Sequence, residues 1–348
     1  MEELDPNLLM SRLQQHFSDG LVIIVGSGLS CAEGLPGMGE LADHLKETVE
    51  NDLSGPDNEC WAQLSTLIAA KGLEAALLEQ TPTPQIESSI MKRTTELIAQ
   101  KEQEIVAQVF ERSRTLTFTK LLKHILKPDD GIPVVTTNYD RLLEVATEEA
   151  GLGVDTMFIG QFAATLKDKE SNLSFCRSVQ LRGRQVRYRF QPRVNLFKPH
   201  GSLDWYDRGG TPVRSFRDLP LPRLIITPGL NKFRNGYHSP FDRHRERANA
   251  AIDRAKRFVV LGYGFNDDHL ETHLTPKIAA GVPTLILTRT LSRNALSLVN
   301  QHQNIVAIQR KLIGGEIGSS IHFQREAYDR PQDSLWDLET FISEVLEP

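Results

Sequence analysis

Apolar and polar positions along the chain follow two periods, one helical and one of the strand type. Residues 6–17 carry apolar side chains every three to four positions, which predicts a short amphipathic helix ending near Asp19-Gly20. Leu21-Val22-Ile23-Ile24-Val25 is then a continuous, largely β-branched run, the pattern of a parallel strand buried on both faces. It empties into Gly26-Ser27-Gly28-Leu29-Ser30 and then Gly34-Leu35-Pro36-Gly37. From Met38 to Lys127, Leu, Ala, Glu, Gln and Lys recur at helical spacing, with the Pro82/Pro84 region as the clearest break. About 90 residues is far more than one βα crossover needs, so this stretch reads as a helical insertion.

Ile132-Pro133-Val134-Val135-Thr136 predicts the next strand, and residues 139–149 a helix. Residues 155–195 are less regular and include a β-hairpin over 178–190 with Gly183 at its turn. Residues 194–198 and 224–227 read as short strands. Strands at 257–261, 284–287 and 305–308 alternate with helices near 241–256, 267–280 and 290–300, and a last helix is predicted over 335–346. This alternation predicts an α/β fold, a Rossmann-like doubly wound parallel sheet with a large helical insertion and a small β-hairpin insertion. The expected division is a Rossmann-like core from 1–37 and 128–310, with the irregular hairpin insertion near 155–195. A helical insertion occupies 38–127, and a C-terminal segment with a terminal helix occupies 311–348.

Composition narrows the function classes. At ~100–200 residues per domain, 348 residues allow two domains or one enlarged by insertions, and the pattern above favours the second. A 40% hydrophobic content supports a sizeable core, and a net charge of -5 argues against a broadly basic nucleic-acid-binding surface. No apolar run approaches the ~20 residues that span a bilayer. The opening MEELDPNLLM lacks the basic flank and apolar stretch of a secretion signal, so a soluble cytoplasmic protein is expected. Cys31, Cys60 and Cys176 lie far apart with no C-x-x-C pair, which excludes a disulfide scaffold and a four-cysteine zinc ribbon. His269 and His273 stand i,i+4 on a predicted helix, but Leu270 holds the place where H-E-x-x-H requires its Glu. No metal is expected.

Four strand ends carry candidate chemistry. Gly26-Ser27-Gly28-Leu29-Ser30 after a buried strand fits either a loop that brings backbone N–H groups to a pyrophosphate or a tight turn. Thr136-Thr137-Asn138-Tyr139-Asp140 places hydroxyls, an amide and a carboxylate where open α/β sheets bind ligands; the alternative is a helix start, with Asn138 as its cap. In Lys198-Pro199-His200-Gly201-Ser202, His200 is either a general base projecting from a loop or a structural histidine. Gly262-Tyr263-Gly264-Phe265-Asn266-Asp267 offers either a ribose-binding acid or an N-cap at Asp267. Cys31 reads as a nucleophile or, better, as a small filler beside the first loop.

In order and content these clusters resemble the sirtuin-like family. Gly26-Ser27-Gly28-Leu29-Ser30 is similar to its G-A-G-x-S loop, Gly34-Leu35-Pro36 to its G-I-P segment, Thr136 to Asp140 to T-Q-N-x-D, and His200-Gly201 to its catalytic H-G pair. With Ile226-Thr227-Pro228 and the 262–269 segment, the chain resembles the bacterial sirtuin-like branch that includes NAD-consuming effectors of antiphage defence. Two departures separate it from the deacylase sirtuins. Gly37-Met38 stands where they carry Asp-Phe-Arg, and residues 141–199 hold only Cys176 where they carry four zinc cysteines.

The resemblance implies an NAD+ hydrolase that releases nicotinamide and ADP-ribose, with NAD+ as substrate. It implies that Asn138 positions water and ribose, that His200 acts as base, and that Asp140 binds the nicotinamide carboxamide. Gly26, Ser27, Gly28 and Ser30 would line the phosphate and ribose path, with Gly262 beside them and Asp267 on the other ribose. A self-associating effector is implied, partnered by a HerA-type DNA translocase or a short Argonaute, without direct nucleic-acid or membrane binding. The alternatives are an NAD-dependent deacylase or ADP-ribosyltransferase, and a non-catalytic NAD or ADP-ribose sensor. One basic feature stands apart: Arg182, Arg184, Arg187, Arg189 and Arg193 share a stretch without an acid. Val186, Tyr188 and Phe190 alternate with two of them, which predicts a strand with one packed and one wet face, or else a docking surface. Arg243, Arg245 and Arg247 form a second cluster, mixed with Asp242 and Glu246.

Overall fold

A computed structural model describes residues 6–183, 185–227 and 238–347. Helix α1 (Pro6–Gln15) leads into β1 (Leu21–Val25) and the short α2 (Ser27–Ala32). Five helices follow, α3 (Met38–Thr48), α4 (Pro56–Lys71), α5 (Leu73–Glu79), α6 (Pro84–Phe110) and α7 (Thr117–Lys123). Next come β2 (Ile132–Thr136), α8 (Leu142–Glu149), β3 (Gly153–Asp155), β4 (Phe158–Ile159), β5 (Ala164–Leu166) and α9 (Asp168–Ser174). Strands β6 (Cys176–Arg182), β7 (Gln185–Phe190), β8 (Arg193–Phe197), β9 (Gly201–Asp207), β10 (Pro212–Arg214) and β11 (Arg223–Ile225) precede α10 (Phe241–Arg254). The chain then alternates through β12 (Arg257–Leu261), α11 (Asp268–Ala279), β13 (Thr284–Thr288), α12 (Arg293–Gln301) and β14 (Ile305–Ile313). It closes with β15 (Glu316–Phe323), β16 (Glu326–Pro331), α13 (Leu338–Phe341) and a wide π turn over Ile342–Leu346.

The main sheet has nine strands in the order β16-β15-β14-β13-β12-β1-β2-β8-β3, parallel from β14 to β3. All five residues of β1 are buried. Leu21, Ile23 and Val25 face a core shared with α1, α7 and α8, while Val22 and Ile24 face a second core with α10, α11 and α12. Period-two alternation thus feeds both faces, and each fully buried aliphatic side chain contributes roughly 1.5–3 kcal/mol. This is the predicted doubly wound α/β arrangement. The helices of residues 38–110 have a core of their own around Trp61, Leu64, Ile68, Leu77 and Ile86. The break at Pro82/Pro84 is the start of α6, where Thr83 Oγ1 accepts from Ile86 N at 3.4 Å. Among the described residues, no helix is long and apolar enough to cross a membrane.

Several expectations need correction. Strand β14 runs on to Ile313 and turns back through β15 and β16, so residues 311–331 form an antiparallel sheet edge. Gly314 and Gly315, with φ of +61° and +91°, make the two-residue turn that only glycine enters freely. The last helix begins at Leu338, where Asp337 caps Thr340 N at 3.1 Å. A second, antiparallel sheet of order β11-β9-β10-β5-β4 was not expected, because β9 buries Ser202 and Asp204, residues that read as loop. The hairpin β6–β7 pairs only with itself, and Val179, Leu181, Val186 and Tyr188 on one of its faces are all exposed. The packed face predicted from Val186 and Tyr188 is therefore absent. Arg184, the side chain of Arg182 and Pro228 lie outside the described residues.

Candidate active site

Strand register gathers the four predicted loops at one edge. Val25 pairs with both Leu261 and Thr136, and Val135 with Phe197, so β12, β1, β2 and β8 end at nearly one level. The loops beyond them surround a cavity of about 440 Å³. Gly26, Ser27, Gly28, Ser30, Asn138, Asp140, His200, Gly262 and Asp267 all line it. Pro36, Met38 and Leu41 form part of its wall, and Glu74 and Ile98 reach it from α5 and α6. None of the last three was singled out in the sequence, since nothing local marks an inserted helix as facing a distant strand end.

The glycines also let two loops pack directly on one another. A Cβ on Gly26 would lie 2.5 Å from Gly262 O, and one on Gly28 2.7 Å from Gly262 Cα. Gly262 itself has φ +57°, and its Cβ would meet Gly28 Cα at 2.6 Å. Gly26 N donates to Leu261 O at 3.0 Å and Gly28 N to Gly262 O at 3.0 Å. Backbone thus packs on backbone between the β1 and β12 loops, and these two N–H groups point at protein rather than at a ligand.

Asn138 is not a helix cap. Helix α8 starts only at Leu142, with Arg141 before it, while Asn138 reaches across to the β1 loop. Its Nδ2 donates to Gly26 O at 3.0 Å and to Ser30 Oγ at 2.8 Å. Ser30 Oγ donates in turn to Asp140 Oδ2 at 2.8 Å, and Asp140 Oδ1 accepts from Leu142 N at 3.1 Å. Both amide protons of Asn138 are therefore committed, and its Oδ1 is the atom left to accept from a ligand.

Opposite stands His200, whose Nε2 donates to Asp267 Oδ2 at 2.7 Å. Asp267 Oδ1 accepts from Leu270 N at 3.0 Å, which caps α11. Asp267 is thus a helix cap that also holds the histidine, and it lines the cavity. Asp267 N donates to Glu271 Oε1 at 3.3 Å, one turn along α11. Burial, reinforced by the charges of Asp267 and Asp268, pushes the Glu271 carboxyl up to about 7. The Cys31 thiol is raised by burial and then by Glu40 and Asp140, so it stays protonated and suits the filler role.

Beneath the cavity floor lies a buried charged network that the sequence did not reveal. Lys198 is fully buried, and its Nζ donates to Asp140 O at 2.5 Å, Ser202 Oγ at 3.0 Å and Glu144 Oε1 at 3.1 Å. All three ammonium protons are satisfied, and the Asn138–Asp140 loop is tied to β9. Asp204 pairs with Arg214 Nε at 2.6 Å. Burial opposes its charge, but Arg214 and Lys198 outweigh that and hold it below the usual carboxylate range. Burial pushes Glu144 up against the pull of Lys198. Tyr139 turns away from the network and donates its hydroxyl to Ile226 O. The insertion is fastened to the same loop by Glu102 of α6, which takes Arg141 Nε at 2.7 Å and Arg141 N.

The solved structures to which the chain is similar include three described as sirtuin or Sir2. One, concerned with sirtuin substrate affinity, is 13% identical, with a TM-score of 0.33 over 83% of this chain and 88% of that one. A Sir2 point mutant with a p53 peptide and NAD gives 13% identity and a TM-score of 0.36 over 83% and 89%. A mutant Sir2 homologue with 2'-O-acetyl ADP ribose gives 13% identity and a TM-score of 0.41 over 84% and 88%. No curated protein matches the chain at a significant level. Residues 133–284 match the family model of the SIR2-like domain, a span that holds the loops bearing Asn138, Asp140, His200, Gly262 and Asp267.

Proposed function

We propose that the cavity cleaves NAD+ between nicotinamide and ribose, giving nicotinamide and ADP-ribose. What carries this reading is the meeting, in one cavity, of an asparagine braced through Ser30 and a histidine held by a carboxylate. The bonding pair returns to the nicotinamide ring, which was cationic and departs neutral, so no acid is needed to expel it. Positive charge builds at the ribose anomeric carbon, where fixed dipoles and carboxylates stabilise it. A water oxygen then bonds to that carbon and a proton is released. With Nε2–H directed at Asp267, His200 keeps a lone pair on Nδ1 to take that proton from water or a ribose hydroxyl. Asn138 Oδ1 orients the water, and Asp140 accepts from the carboxamide. Met38, Leu41, Glu74 and Ile98 line the cavity wall, and the chain lacks the four zinc cysteines of the deacylase sirtuins, which favours hydrolysis over acyl-peptide chemistry. NAD+ depletion in antiphage defence, released by self-association or by a partner, completes the reading and rests on the motifs alone.

The test is nicotinamide release from NAD+ by purified protein. Asn138→Ala and His200→Ala each lower the rate by about 10²-fold or more while thermal unfolding stays within a few degrees of wild type. Normal turnover by both folded variants contradicts the assignment.

A further inference from the structure

The charges around the cavity are unevenly spread. Glu74, Asp140 and Asp267 are its carboxylates among the described residues, and two of them serve the Asn138–His200 end. Asp140 follows Asn138 in the β2 loop, and Asp267 holds His200. Arg289 is the one Lys or Arg among the described lining residues, in the Thr288-Arg289-Thr290 loop after β13. It is exposed, and makes no ion pair or side-chain hydrogen bond among the described residues. The loop follows β13, three strands along the sheet from β2, and the β1 and β12 strands with their glycine loops lie between.

We infer that Arg289 is the binding residue for a phosphate on the adenosine ribose 2'-oxygen, so that the cavity accepts the 2'-phosphorylated dinucleotide, NADP+, as a substrate. This rests on the proposed cleavage, which sets the nicotinamide ribose beside Asn138 and His200. The pyrophosphate then crosses the glycine loops, and the adenosine ribose arrives at β13. A site selective for the unphosphorylated ribose places a carboxylate there, which bonds the free hydroxyls and repels a 2'-phosphate. Here two threonines flank a guanidinium, and the expected acid, Asp267, is engaged by His200 and by Leu270 N instead. A cavity negative at one end and positive at the other also matches a ligand with a cationic nicotinamide at one end and a phosphomonoester at the other. Arg289 offers that group a planar pair of donors.

The experiment compares kcat/KM for nicotinamide release from NAD+ and NADP+, and equilibrium binding of ADP-ribose and its 2'-phosphate, in wild type, Arg289→Ala and Arg289→Lys. Wild type cleaves NADP+ at least as efficiently as NAD+. Arg289→Ala loses about 10- to 100-fold on NADP+ with NAD+ nearly unchanged, and Arg289→Lys recovers part of the loss. Cleavage of NAD+ without cleavage of NADP+, or no binding of the 2'-phosphorylated ligands, overturns the inference, and so does an equal loss on both substrates, which makes Arg289 a pyrophosphate contact. If neither dinucleotide is cleaved but ADP-ribose 2'-phosphate binds tighter than ADP-ribose through Arg289, the inference stands and the hydrolase reading fails.

Discussion

At the scale of single residues, function and fold meet in Asp267. Its two oxygens divide between His200 Nε2 and the first turn of α11, and in the proposed reaction its part is to hold the imidazole. Asp267→Asn keeps a good helix cap and leaves the thermal midpoint within a few degrees, but it loses the anion that fixes the histidine's tautomer. We expect about a 10- to 100-fold fall in kcat with KM little changed, and an altered pH profile; an unchanged profile would show a purely structural role. Asn138 and His200 were legible as residues, since amide, carboxylate and imidazole at strand ends stand out. Whether Asn138 capped a helix or faced a ligand was not, because that depends on Ser30 and Gly26, more than 100 positions away in sequence. Lys198, Glu144, Asp204 and Arg214 were hidden for the same reason. A charged residue beside a predicted strand reads as surface until its distant partners are known.

Among the elements, the β1 and β12 loops hold each other by backbone contact, and the buried lysine holds the β2 loop. Gly28→Ala or Gly262→Ala drives a methyl group into opposing backbone, and each should cost about 1–3 kcal/mol or more in chemical denaturation, with the cavity loops displaced. Lys198→Met leaves Glu144 buried without its cation and should cost on the order of 3–5 kcal/mol. The double change with Glu144→Leu recovers most of that, because two well-packed apolar groups replace a desolvated pair. If the double variant is no more stable than the single, the pair is not the source of the loss. Strands β1, β2, β12 and β13 were legible because burial on both faces leaves an uninterrupted apolar run. Strand β16, at the sheet edge with the burial of a half-wet strand, left no such run, and β9 disguised its burial behind residues of the charged network.

For the whole molecule, doubly wound packing buries two histidines as neutral rings, and this gives stability a pH dependence. Burial lowers His244 to about 3 and His16 to about 4, well under the unfolded value near 6.5. Between those limits the unfolded chain binds protons that the folded chain does not, so stability falls as pH drops through 6.5 toward 4. Each should remove about 2 kcal/mol by pH 5. Denaturant midpoints measured from pH 7 to 5 should show this slope, and His244→Asn, though less stable throughout, should flatten it. Glu271 acts in the opposite sense, since its raised carboxyl favours the folded state at low pH and loses that contribution as pH rises through about 7. The architecture of the core was legible from strand–helix alternation, but the inserted helices' share in the cavity wall was not. The central claim is that this cavity breaks the nicotinamide–ribose bond with water alone as acceptor. Its most direct test is to incubate each oligomeric fraction of the purified protein with NAD+ and no acylated peptide, and to quantify both products. The account predicts nicotinamide and ADP-ribose in equal amounts; NAD+ bound but intact in every fraction, or cleaved only when an acylated peptide is added, would contradict it.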